Sequence, residues 1–130
     1  MDAQYLNTDL ELESDSDLTG LVAALENLGL TSLYCGPNDN GNWHATLEAD
    51  LGSDEPIPSI VKLLLAIDSL DEAHRQMLSN CLRKEFDVGY ECTAEPFESG
   101  DVIDNEILRR IVDLGATIRF TIYRSDKPEI

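Results

Sequence analysis

One stretch narrows the fold more than any other. Leu33, Tyr34 and Cys35 form an apolar run, Gly36-Pro37-Asn38-Asp39-Asn40-Gly41 follows, and Trp43, Ala45, Leu47 and Ala49 then recur at every second position. Two strand-like runs around a turn containing Asn-Gly read as a β-hairpin. Successive side chains of a strand point to opposite faces. His44, Thr46, Glu48 and Asp50 therefore share the face turned away from Ala45 and Leu47.

The rest of the chain mixes this period of two with the helical period. Leu6 to Glu13 alternates around Leu6, Leu10 and Leu12, with Asp9, Glu11 and Glu13 on the other face. Leu18, Leu21, Val22, Leu25 and Leu28 recur at helical spacing, with Asp15 and Asp17 at the positive helix start and Gly29 as the stop. A buried helix is expected over Ser59 to Leu70 after a loop at Asp54 to Pro58. Ser69 and Glu72 then form a capping-box pattern that starts another helix. The inner face of that helix would carry Leu70, Ala73, Met77, Leu78, Cys81 and Leu82, with Arg83 and Lys84 at its end. Phe86, Val88, Tyr90 and Cys92 alternate as a strand. Asp101 or Asp104 caps a last helix with Ile107, Leu108, Ile111 and Leu114 inward and Gly115 as its stop. Ile118, Phe120 and Ile122 alternate in a closing strand. The order β-α-β-β-α-α-β-α-β shows no repeated βαβ unit. It predicts a single α+β domain over residues 1–130, with a largely antiparallel sheet of about five strands and helices on one face.

Charge locates the function classes that remain. The 130 residues hold 26 Asp and Glu against 9 Lys and Arg, a formal net charge of −17. Residues 1–61 carry 12 acids and no Lys or Arg; all nine bases start at Lys62, and with 14 acids leave that part at −5. Nucleic-acid phosphates and anionic membrane surfaces both need basic residues, so neither is an expected partner. The longest unbroken apolar run, Leu63 to Ile67, is far too short for a membrane span. Such asymmetry points to an interaction surface, or to a general acidic bias for solubility.

MDAQYLNTDL has neither the basic nor the apolar region of a secretory signal. Cys35, Cys81 and Cys92 are odd in number and widely spaced, so a reducing, cytoplasmic setting is expected and no disulfide framework. Both Cys81 and Cys92 read as small core residues.

No catalytic signature is present, and the chain reads as a non-enzyme with no cofactor. His44 and His74 lack zinc spacing, and there is no nucleophile elbow, Walker loop or dinucleotide glycine loop. Residues 15–26 fit an EF-hand loop at Asp15, Asp17, Thr19, Gly20 and Glu26. The residues before it alternate like a strand and Gly29 leaves no exiting helix, so an acidic helix start is the competing reading. The calcium reading leaves open a small regulatory or ligand-binding domain.

An acidic face for a basic protein is the main expectation. Glu11 and Glu13 project from one side of the first strand, and Glu48 and Asp50 from one side of the hairpin strand. If those strands are neighbours, the four carboxylates crowd one face, flanked by Asp15, Asp17 and Asp39. Tyr34, Trp43 and His44 would add aromatic anchors, although Trp43 fits equally well inward with Leu47. Like charges held together cost stability, and the corresponding gain is fast, selective association with a cationic partner.

Two resemblances bear on this. Phe86 to Thr93 (FDVGYECT) and Leu108 to Arg124 (LRRIVDLGATIRFTIYR) resemble small bacterial domains with a D-x-G strand, a helix ending in LGA and a final TIY strand. The whole short, acidic chain is similar in type to bacterial immunity proteins of toxin–immunity pairs, including those of contact-dependent growth inhibition. That likeness carries no residue motif. It implies an antitoxin-like inhibitor that binds a cognate basic toxin, such as a nuclease.

Overall fold

A computed structural model describes residues 4–49, 55–92 and 101–124, with the side chains of Gln4 and Cys92 left aside. The elements run β1 (Gln4–Ser14), α1 (Thr19–Asn27), β2 (Leu30–Pro37), β3 (Trp43–Ala49), α2 (Pro56–Asp68), α3 (Glu72–Ser79), β4 (Arg83–Cys92), α4 (Asn105–Asp113) and β5 (Thr117–Arg124). The strands form one sheet in the order β2-β3-β1-β4-β5. Every neighbouring pair is antiparallel except β4 and β5, which are parallel and joined through α4. This is the α+β domain the alternation predicts.

The core lies between one sheet face and the helices. Leu10 and Leu12 of β1, Ala45 and Leu47 of β3, and Phe86 and Val88 of β4 are buried on that face. Leu21 and Leu25 of α1, Ile60, Leu63, Leu64 and Ile67 of α2, Leu78 of α3, and Ile107 and Ile111 of α4 close over them. Strands with apolar residues at every second position can bury only one face, so helices with a single apolar stripe complete the core. The described residues place no helix on the other face.

Local departures from the sequence pattern have physical causes. The β1–β4 register shifts between Tyr5 and Asn7, so Leu6 is the extra residue and is exposed, while Tyr5 packs against the core edge-on to Tyr90. Helix α2 runs through Asp68, so Ser69 closes it and its hydroxyl donates back to the Leu65 carbonyl. Asp71, not Ser69, caps α3 by accepting from the His74 N–H at 2.9 Å. Helix α3 ends at Ser79, and the Leu82 N–H already bonds the Glu13 carbonyl of β1. Leu82 therefore faces solvent, as does Ala73. Asp104, not Asp101, caps α4, and Leu108 is partly exposed, not inward. Gly29 and Gly115 end their helices at φ +101° and +69°, in the left-handed region where a side chain is strained.

Candidate functional site

The helix-free face is built from the odd positions of β1 and their cross-strand partners. The register sets Glu48, Asp9 and Asp87 in one row across β3, β1 and β4, with Arg119 of β5 at its end. The next row is Thr46, Glu11, Glu85 and Thr117, and the third is His44, Glu13 and Arg83. Three adjacent strands thus place six carboxylates in adjoining rows, against the two cations Arg83 and Arg119 and the imidazole of His44. Directly opposite like charges destabilise a sheet pair.

Bonding is unequal across these rows. Glu11 accepts from the Thr46 hydroxyl at 2.8 Å and lies 2.8 Å from His44 Nε2. Glu13 accepts from Asn42 at 3.0 Å and is 3.8 Å from Arg83, and these bonds, Asn42 first, hold its carboxyl below the usual range. Glu85, nearly buried, receives Arg83 at 3.2 Å and Arg119 at 3.4 Å. Asp9, Glu48 and Asp87 form no ion pair among the described residues. Asp9 accepts from the Asn7 amide and Asp87 from the Thr121 hydroxyl. Burial, then the charges of Glu11, Glu48 and Asp87, push the Asp9 carboxyl up to about 7. Neutral pH therefore finds it only partly ionised.

The expected neighbour relation is present: β1 pairs with β3, which brings Glu11, Glu13, His44 and Glu48 together. Tyr34 joins them, its ring 6.0 Å from that of His44 and its hydroxyl donating to the Pro37 carbonyl. Gly36 makes room for that ring, since a Cβ there would meet the Tyr34 oxygen at 2.9 Å. Trp43 is not on this face. It shares the parity of Ala45 and Leu47 and packs against the core. Asp39 lies in the exposed hairpin turn, whose Asn38 and Asn42 side chains bond Glu13. Asp15 and Asp17 sit beyond the end of β1. Asp17 accepts from the Thr19 N–H at 2.7 Å, a bond that lowers its pKa and fixes the helix start. Asp50 lies outside the described residues.

Asp9 shares the parity of Glu11 and Glu13 that spacing already put on this face. Two carboxylates were missed by spacing alone: Glu85 and Asp87, the polar half of the Phe86/Val88 alternation. The missing fact was that β4 is the other neighbour of β1.

Other chemistry finds little support in the geometry. The candidate calcium loop begins just past the end of β1 and runs through most of α1. Glu26 thus lies seven residues past Thr19 along α1, about 10 Å up the helix. No group of three metal-binding side chains occurs among the described residues. Burial pushes the Cys81 thiol up to about 11, far from a thiolate nucleophile. An open groove of about 380 Å³ lies between α1 and the start of α3. His74 lines it with Nδ1 2.8 Å from the Asp71 carboxylate that caps the helix. No described helix is long and apolar enough to cross a membrane.

No family model, curated protein or solved structure matches this chain.

Proposed function

We propose that the chain is an immunity-type inhibitor that binds a cognate basic toxin domain through its helix-free sheet face. The observation that carries this reading is the row Glu48–Asp9–Asp87: three carboxylates side by side on the sheet face that bears no described helix, with no ion pair among the described residues. Such a row is unfavourable in the free protein and favourable beneath lysines or arginines. The surrounding acids steer a cationic protein into contact from a distance. Glu11, Glu13 and Glu85, held by hydrogen bonds and ion pairs, form a pre-ordered frame around the row. Tyr34 supplies an aromatic surface at its β2 side. A nuclease covered in this way loses access to its phosphate backbone. The setting would be the bacterial cytoplasm, and the protein itself would perform no catalysis.

Asp9 gives this reading a chemical signature. A partner cation over the row favours the ionised carboxylate, so binding near pH 7 releases a proton. Calorimetry against a basic toxin domain captured with this chain from its native strain, in two buffers of different ionisation enthalpy, reads that proton. The expected result is tight binding with proton release that disappears in Asp9→Asn. A joint change of Glu11, Glu13 and Glu48 to Gln that leaves affinity intact would refute the acidic-face mechanism.

A further inference from the structure

The described part of the sheet has two edges, and they are built differently. Strand β2 is interrupted by a register shift between Ser32 and Tyr34 and ends in Pro37. Bulges and prolines are the usual means of blunting an edge against further pairing. Strand β5 has neither. Its register with β4 runs unbroken from Glu85↔Thr117 to Cys92↔Arg124, and no described residue pairs with its outer side.

That edge is also apolar. Phe120 is 58% exposed and Ile122 65%, on the face that carries the helices. Helix α4 adds to it. Ile107 and Ile111 face the core, and Arg110 reaches back to Asp68 at the end of α2, which lies over β1 and β3. At about 100° per residue the opposite flank of α4, carrying Leu108 and Val112, turns towards the β5 edge. Val112 is 71% exposed. Exposed apolar side chains gathered on one strand edge and the helix flank turned towards it mark an interaction site.

We propose that the occupant is a second copy of this chain, with β5 pairing antiparallel to its counterpart about a two-fold axis at Phe120. The sequence of β5 is self-complementary in that register. Phe120 meets Phe120 of the second copy, Ile118 meets Ile122, Arg119 meets Thr121, and Thr117 meets Tyr123. The neighbouring two-fold registers are worse. An axis at Arg119 sets two arginines directly opposite, and one at Thr121 sets Ile118 against Arg124. Charge favours the same edge. Residues 105–124 hold four arginines against Glu106 and Asp113, in a chain whose net charge is −17. This is a surface on which two strongly acidic molecules can meet without adding carboxylates to the contact. A single strand edge with one helix flank lies near the lower end of specific interface sizes, so the dimer is weak and depends on concentration. The open acidic face is left free, so this inference does not depend on the inhibitor reading.

Sedimentation velocity of the full chain across about 5–200 µM tests it. The expected result is a concentration-dependent shift from the 14.4 kDa monomer to twice that mass. Raising salt should strengthen the dimer several-fold by screening repulsion between the acidic bodies, the reverse of its expected effect on toxin binding. Phe120→Lys and, separately, Val112→Glu should each weaken association at least tenfold while leaving the circular dichroism unchanged. A chain that stays monomeric throughout, or a Phe120→Lys variant that dimerises as well as the parent, overturns the proposal.

Discussion

Phe86 and Asp87 are consecutive in β4 and face opposite surroundings. Phe86 is fully buried beneath the helices, among Leu10, Leu47 and Leu63. Asp87 stands on the helix-free face across from Asp9, with the Thr121 hydroxyl donating to it at 2.6 Å. One face of the sheet is thus optimised for stability. The other holds like charges in register, which works against it. A fold can maintain the second face because the first offsets its cost. A surface arranged against its own stability is more economically read as a surface arranged for something else.

The comparison can be broken first on the covered side. Phe86→Ala should cost about 3–5 kcal/mol, the loss typical of an aromatic removed from a closed core. Denaturant unfolding measures it, and a loss below about 1 kcal/mol would mean that the helical layer does not hold this face closed.

On the open side the sign reverses. Asp9→Asn should stabilise the protein, because the folded state raises the carboxyl from 3.8 to about 7 and so disfavours its charge. The folded state keeps a proton that the unfolded chain has already lost, so parental stability falls as pH rises from about 4 to about 7 and then levels. A rise of that size sets a ceiling of about 4 kcal/mol; solvent at the sheet surface brings the expected gain to about 1–2 kcal/mol above pH 7, vanishing near pH 4. Unfolding of both proteins from pH 4 to 8 checks this. A pH-independent difference would assign it to packing and not to charge.

Glu48→Gln is the finest probe. Glu48 is directly opposite Asp9. Removing its charge should stabilise by about 0.2–1 kcal/mol and lower the Asp9 pKa, which a carboxyl-carbon NMR titration reads directly. An unchanged Asp9 titration would show that the row is not electrostatically coupled.

Much of this was legible from the sequence because it is local. The parity of β1, the Gly36–Gly41 turn, a cap for the last helix at Asp101 or Asp104, and the glycine stops all depend on residues a few positions apart. What was not legible is long-range. Nothing in the neighbourhood of Glu11 says that β4 lies beside it, so Glu85 and Asp87 could not be joined to the acidic face. A single extra residue at Leu6 moved Tyr5 into the core position, which strict alternation cannot foresee. Trp43 fitted either side of the hairpin by composition; packing beside Ala45 and Leu47 decided it. Asp71 displaced Ser69 as a cap because α2 runs on to Asp68 and engages the serine hydroxyl in its own last turn.

The claim that the open face exists for a cationic partner is tested most directly by association kinetics with the captured basic partner domain at low and high salt. Between about 0.05 and 0.5 M salt the association rate should fall at least tenfold with dissociation little changed, and neutralising Glu11, Glu48 and Asp87 together should remove most of that dependence. An association rate indifferent both to salt and to those three charges would contradict the account.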